Sequence, residues 1–152
     1  MRHAFAAATL AAVGAAPIAA AELPDPESWY REAYAPLWAK DPGDNIERLV
    51  GFYAAEVLTH EADGTLSRDA RATWLVEPMK QWLAEGWLSA KLTALNTRRI
   101  NASTATFTAR WLDRYAGGDT EVSCGWYLAD AVDGRWVFTQ YADTNCGLHD
   151  FD

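Results

Sequence analysis

The chain has 152 residues, half of them hydrophobic (50%), and 21 acidic against 13 basic side chains leave a formal charge of −8. With no basic run longer than Arg98-Arg99, this composition excludes the electrostatic footprint of a nucleic-acid or anionic-membrane binder, which needs clustered Lys and Arg. The length suits one domain with a real core.

Met1-Arg2-His3 is a short basic start, Phe5 to Ala20 is an Ala-rich apolar run, and Ala19-Ala20-Ala21 satisfies a small-x-small cleavage pattern. This predicts a signal peptide over residues 1–21 and export to the periplasm or beyond. The remainder, 22–152, is then one domain of 131 residues (152 minus 21). The apolar run is too short and too Ala-rich for a good membrane span, so no membrane association is expected after cleavage. Cys124 and Cys146 both follow the cleavage point, and an even pair in an exported chain predicts a disulfide. Neither lies in a CxxC or at metal spacing from a His, so no zinc site is expected.

After Leu23-Pro24-Asp25-Pro26, the stretch ESWYREAYAPLWAK repeats apolar and aromatic residues at three-to-four spacing. Trp29, Ala33 and Leu37, with Tyr30, Tyr34 and Trp38, predict an amphipathic helix bent before Pro36. Asp41-Pro42-Gly43-Asp44 reads as a turn. Asp44 or Asn45 then caps a second helix that runs through Val57 on Ile46, Leu49, Val50, Tyr53 and Ala54. Val57 to Glu61 reads as a short strand ended by Asp63-Gly64. A third helix starts at Ser67, buries Ala70, Trp74, Leu75 and Val76, is interrupted at Pro78 and stops at Gly86.

From Trp87 the period becomes two. Strands are predicted over Trp87 to Ile100, Thr104 to Tyr115, Thr120 to Asp130 and Arg135 to Asp143. A turn at Asn101-Ala102-Ser103 and hairpins at Gly117-Gly118 and Asp133-Gly134 join them. The fold class is α+β: three helices and a short strand, then a long antiparallel meander.

Taking each hairpin as a two-residue loop sets Trp111 opposite Cys124, Ala109 opposite Trp126, and Trp126 opposite Tyr141. Trp111, Asp113, Cys124, Trp126, Tyr141 and Asp143 then face the helices. Tyr127 and Phe138 fall on the outer face, where with Leu112 and Trp136 they would form a patch for a homodimer. A one-residue bulge would invert part of this assignment. Cys146 is off register with Cys124, so a disulfide needs a bulge or a tail that folds back.

The element order resembles the NTF2-like superfamily, the cone-shaped fold of ketosteroid isomerases and SnoaL-like proteins. The residues that carry the resemblance are FYAAEVLTHEADG, TWLVEPMKQWLAEGW, STATFTARWLDRYAGG and YLADAVDGRWVFTQYAD, and together they span nearly all of 22–152. The resemblance implies a bent sheet wrapped around three N-terminal helices, with a cavity open at one end. It carries fold further than activity. Ketosteroid isomerases keep a catalytic aspartate two or three residues before the junction Gly, and Glu61 takes that place here as a general base with a raised pKa. Tyr34 is close to where they keep a phenol donor. Their protonated carboxylic acid would fall near Trp126, which cannot serve that way.

His60 and Glu61 point to opposite faces of a strand, so only one can face the cavity. With the register reversed, His60 becomes the base, poised near neutral pH. Trp74, Trp111, Trp126, Tyr141 and Asp143 are the expected ligand-binding wall, aromatic with few polar groups. No cofactor is expected, and no spacing motif supports a metal site. Three functions stay open. One is a binder of a small, largely apolar molecule. Another is a cofactor-free acid/base enzyme of isomerase, dehydratase or cyclase type using Glu61 or His60 with Tyr34. The third is a dimeric structural or partner-binding domain.

Overall fold

A computed structural model describes residues 22–61 and 63–151, so the expected signal peptide lies outside the described residues. Helical segments α1 (26–39), α2 (42–50) and α3 (72–84) pack on a six-stranded curved sheet. The strands are β1 (Tyr53–His60), β2 (Leu66–Ala70), β3 (Trp87–Asn101), β4 (Thr104–Tyr115), β5 (Thr120–Val132) and β6 (Arg135–Asp143), in the spatial order β2-β1-β6-β5-β4-β3. Among the described residues no helix is long and apolar enough to cross a membrane.

Both longer helices carry an internal proline, and both absorb it in the same way. Proline lacks the N–H of an i→i−4 bond, and its ring presses on the preceding turn. Just before Pro36 the Ala35 N–H reaches Tyr30 O at 2.9 Å, and just before Pro78 the Glu77 N–H reaches Ala72 O. These are five-residue turns, wider than an ordinary helical turn. The wide turn in α1 still leaves Tyr30, Tyr34, Leu37 and Trp38 buried against the sheet.

Two boundaries differ from the sequence reading. Helix α2 ends at Val50, and the chain is extended from Tyr53 instead of helical through Val57. Tyr53 and Val57 are both buried, and a separation of four suits either one helical face or one strand face. Pairing decides: Phe138 N donates to Phe52 O at 2.8 Å, and Tyr53 lies beside Phe138 in a parallel ladder of β1 with β6. The sheet is therefore mixed and not wholly antiparallel. The second difference is β2, where a helix start was expected at Ser67. Leu66–Ala70 instead forms a hairpin with β1 through a turn at Gly64, whose φ of 87° favours glycine. Its side chains are mostly solvated, so backbone pairing with β1 makes it a strand.

The four long strands match their expected spans closely, but their register does not. Arg114 pairs with Thr120 and Tyr115 N donates to Asp119 O at 2.9 Å, so the loop is Ala116-Gly117-Gly118, three residues rather than two. Both glycines have positive φ. Trp111 consequently lies opposite Ser123, and Phe107 opposite Tyr127. One residue of slip turns every β5 side chain over. Tyr127 becomes core and Trp126 moves to the outer face. The Asp133-Gly134 turn does hold two residues, with Val132 opposite Arg135, but a bulge at Thr139 shifts β6 and sets Tyr141 beside Tyr127. Tyr127, Phe138 and Trp136, expected in an outer dimer patch, are all buried, which removes most of that patch.

The same shift resolves the cysteine problem. Cys124 now shares the outer face with Arg110. Beyond β6, Thr144 N donates to Cys124 O at 3.0 Å, and a 3-10 turn over Cys146–Leu148 folds the tail back. Cys124 and Cys146 are disulfide-bonded with their Cα atoms 5.3 Å apart. The tail continues across the outer face, where Asn96 donates to Asp150 O and the Arg110 guanidinium lies 5.1 Å from the Phe151 ring centre. Replacing both cysteines by serine opens a loop spanning 22 positions. It should lower the unfolding free energy by about 3 kcal/mol, read as a lower urea midpoint. An unchanged midpoint would show that the tail is held without the bridge.

Candidate ligand-binding site

The helices do not fill one end of the sheet's inner face. A cavity of about 290 Å3 lies there. Trp38 enters it from the last turn of α1, and Trp82 and Glu85 enter from the end of α3. The inner-facing rows of the long strands supply the rest: Trp87 and Ala90 from β3, Trp111 and Asp113 from β4, Ser123, Gly125 and Tyr127 from β5, and Tyr141 and Asp143 from β6. Tyr115 and Glu121 stand at the hairpin rim. Alternation along the strands accounts for most of this set, while a bulge in β3 separates Trp87 from Ala90 by three positions and Cys124 reaches the space from between Ser123 and Gly125.

The walls are aromatic and tilted against one another. Trp38 meets Trp87 edge-on at 6.1 Å and Trp111 at 6.4 Å, Trp82 meets Trp87 at 6.1 Å, and Tyr127 meets Tyr141 at 5.1 Å. Such edge-to-face contacts hold rings in place without closing the space between them. Gly125 sits beneath two of these rings. A Cβ there would lie 3.0 Å from the Tyr127 hydroxyl and 3.0 Å from Tyr141 Cε2. The absence of a side chain lets both tyrosines lie flat over β5.

The polar groups of the site are carboxylates held by neutral donors. Trp87 Nε1 donates to Asp113 at 2.9 Å, and Ser123 Oγ donates to its other oxygen at 2.6 Å. The Tyr141 hydroxyl donates to Asp143, and Tyr115 donates to Glu121 at 3.3 Å. Beneath the cavity Tyr30, Tyr34, Tyr53 and Tyr127 crowd around Phe138, with the Tyr34 and Tyr53 hydroxyls hydrogen-bonded to each other. Burial pushes the phenols of Tyr30, Tyr34, Tyr53 and Tyr141 well above their ordinary 10.0. Burial also pushes Tyr127 up to about 12, although the nearby polar edges of Tyr30, Trp111 and Tyr34 favour its charged form.

Of the residues expected from sequence, the structure brings Trp111, Tyr141 and Asp143 together on the cavity wall. Tyr34 is fully buried beneath it, engaged with Tyr53. Trp74 lies one layer away, packed on Tyr53 at 4.8 Å and Tyr141 at 5.1 Å. Trp126 is on the opposite face of the sheet, edge-on to His60 at 6.2 Å, because of the hairpin register. His60 is exposed there and pairs with Gln140 at 3.3 Å. Glu61 lies just past the end of β1 in solvent, accepting from Ser67 Oγ at 3.0 Å. Neither lines the cavity. The inner-facing residue at that end of β1 is Thr59, level with Tyr141. Sequence reasoning missed Tyr127, which it assigned to the outer face, and did not single out Ser123. The available signal was the length of the AGG loop.

No family model and no curated protein matches the sequence. Solved structures do match. One is Aln2 from a Streptomyces species, at 16% identity over 83% of this chain and 96% of that one, with a TM-score of 0.58. Another is an NTF-2-like protein of unknown function from Shewanella oneidensis, at 16% identity over 73% and 89%, TM-score 0.57. A third is a provisionally named polyketide cyclase from Xanthomonas campestris pv. campestris, at 17% identity over 80% and 91%, TM-score 0.53. At such identities the likeness shows the fold: this chain has an NTF2-like fold.

Two measurements probe the site's construction. Gly125→Ala forces Tyr127 and Tyr141 to move and should cost about 1–3 kcal/mol, seen as a lower denaturation midpoint with altered near-UV dichroism. The phenols give a pH test. A group whose folded pKa is raised contributes stability that is fully present below its unfolded value and is lost as pH rises through the folded one. For Tyr127 that window runs from 10.0 to about 12. Stability should be level up to the lower end and fall across this interval, together with tyrosinate absorbance. Tyrosinate absorbance that saturates before any loss of stability would contradict the buried cluster.

Proposed function

We propose that this protein is exported and holds a small, largely apolar molecule between its helices and the inner face of its sheet, in the manner of a cone open at one end. The observation that carries the reading is the cavity of about 290 Å3 walled by Trp38, Trp87, Trp111, Tyr127 and Tyr141. A concave, mostly aromatic space with a few fixed polar groups is the usual form of a small-molecule site. A core built only for stability tends to close such a space, because unfilled volume forfeits dispersion contacts. Export is supported by the signal pattern of residues 1–21 and by the Cys124–Cys146 bridge, since such bonds persist in oxidising compartments.

A second reading is a cofactor-free acid/base enzyme. It is favoured by the Tyr141–Asp143 hydrogen bond on the cavity wall, a donor and an acceptor next to an apolar space. The provisional naming of one structural neighbour as a polyketide cyclase points the same way. On this reading Asp143 and Tyr141 occupy the role that the sequence suggested for Glu61, His60 and Tyr34.

Native mass spectrometry of protein from its source should reveal a co-eluting small molecule, and its addition to stripped protein should change tryptophan fluorescence. Trp111→Ala should weaken that binding by at least about tenfold, and Glu61→Gln should leave it within about twofold. Equal binding by Trp111→Ala would remove the cavity as the site. Turnover of the bound molecule that disappears in Asp143→Asn would select the enzyme reading over the binder.

A further inference from the structure

We propose that the cavity is selective for an organic cation, an amine or quaternary ammonium on a compact apolar body, over neutral and anionic molecules of the same shape. This rests on the small-molecule reading above and names the chemistry of its ligand. Four carboxylates, Glu85, Asp113, Glu121 and Asp143, line the space, and among the described residues no Lys, Arg or His does. The partners of these acids are all neutral: a tryptophan indole, a serine, two tyrosines and the Gln81 amide, which donates to Glu85 at 2.8 Å. The ion pairs among the described residues lie elsewhere, between Arg31 and Glu27, Arg68 and Glu56, and Lys80 and Glu77. The cavity's charge is thus oriented but not neutralised from within the described part of the chain.

The walls and floor point to the same ligand. Tryptophan and tyrosine faces attract a cation through their quadrupoles, and do so best where water is excluded. Tyr127 is only 5% exposed and lines the cavity. The polar edges of Tyr30, Tyr34 and Trp111 approach its hydroxyl. The Tyr127 hydroxyl oxygen, beside Gly125, adds an acceptor for an N–H in the cavity. A bare metal ion is a poorer match, because no three His, Cys, Asp or Glu side chains among the described residues converge to hold one. An anion would meet four like charges. A neutral apolar molecule would leave the carboxylate row without a counter-charge.

The test uses two apolar frameworks, 1-adamantyl and 1-naphthylmethyl, each carrying an ammonium, an alcohol or a carboxylate, titrated calorimetrically into the whole protein at neutral pH. The ammonium should bind at least about tenfold more tightly than the alcohol, the carboxylate not measurably, and the ammonium's advantage should shrink with added salt. Asp143→Asn and Glu121→Gln, both at exposed positions where the fold tolerates an isosteric change, should each lower ammonium affinity by at least about fivefold and leave the alcohol within about twofold. An alcohol that binds as tightly as the ammonium, or variants that affect both equally, would overturn the charge selectivity and leave the binding site standing. If none of the compounds binds, both the selectivity and the site are lost.

Discussion

The register of the β4–β5 hairpin governs what this molecule has for an interior. Three loop residues, not two, join the strands, and the extra one sets Phe107 beside Tyr127 and Trp111 beside Ser123. Side chains alternate with period two, so no intermediate arrangement exists: either Tyr127 or Trp126 faces the helices. The choice of Tyr127 creates the phenol cluster with Tyr30, Tyr34 and Tyr53. It also sends Cys124 outward, where the returning tail can meet it. A second irregularity, the bulge at Thr139, then brings Tyr141 level with Tyr127 and Asp143 level with Gly125. Core, disulfide and cavity wall all descend from two local departures from ideal pairing.

The inner face of the sheet is graded along its length. At one end Ala105, Phe107, Ala129 and Phe138 are closed under α1. The middle is occupied by phenols that burial keeps neutral. At the other end Trp38, Trp87 and Trp111 stand apart, and the residues opposite them become small or acidic: Gly125, Ser123, Asp113. Glycine at 125 makes room for the Tyr127 and Tyr141 rings, the small Ser123 lies opposite Trp111, and carboxylates stand with Tyr115 at the rim. An indole N–H and hydroxyls hold Asp113 and Asp143, which fixes their direction without cancelling their charge. The site is thus chemically continuous with the core and differs from it by a few substitutions on two strands.

Much of the fold was legible because its signals are local. The aromatic stripe of α1, the stop at Gly86 and the four long strands depend on periodicity and turn residues within each segment, and the structure places them almost where the pattern does. The errors fall where pairing partners are distant. A helical reading of Tyr53 and Val57 arises because a spacing of four fits both periods, and only the ladder with β6 resolves it. Strand β2 has no apolar alternation of its own and exists through its bonds to β1. The candidate site was half legible for the same reason. Trp111 follows from alternation within β4, whereas Trp126, Tyr141 and Asp143 all depended on counting across hairpins: the extra loop residue turned Trp126 outward, and the bulge at Thr139 cancelled that slip for Tyr141 and Asp143. Glu61 depended on how far β1 would run before its turn.

Composition and pattern alone settled that this chain is an α+β protein with an acidic surface, an aromatic-rich core and a long β meander, because each of these is a sum or a period that survives without coordinates. Tertiary structure decided which face of each strand is interior, that β1 runs parallel to β6, that the cysteines meet, and that the open space lies beside Asp113 and Asp143 instead of Glu61. Those outcomes turn on single-residue differences in loops and bulges. The energies that select them come from packing and backbone pairing between segments far apart in the chain.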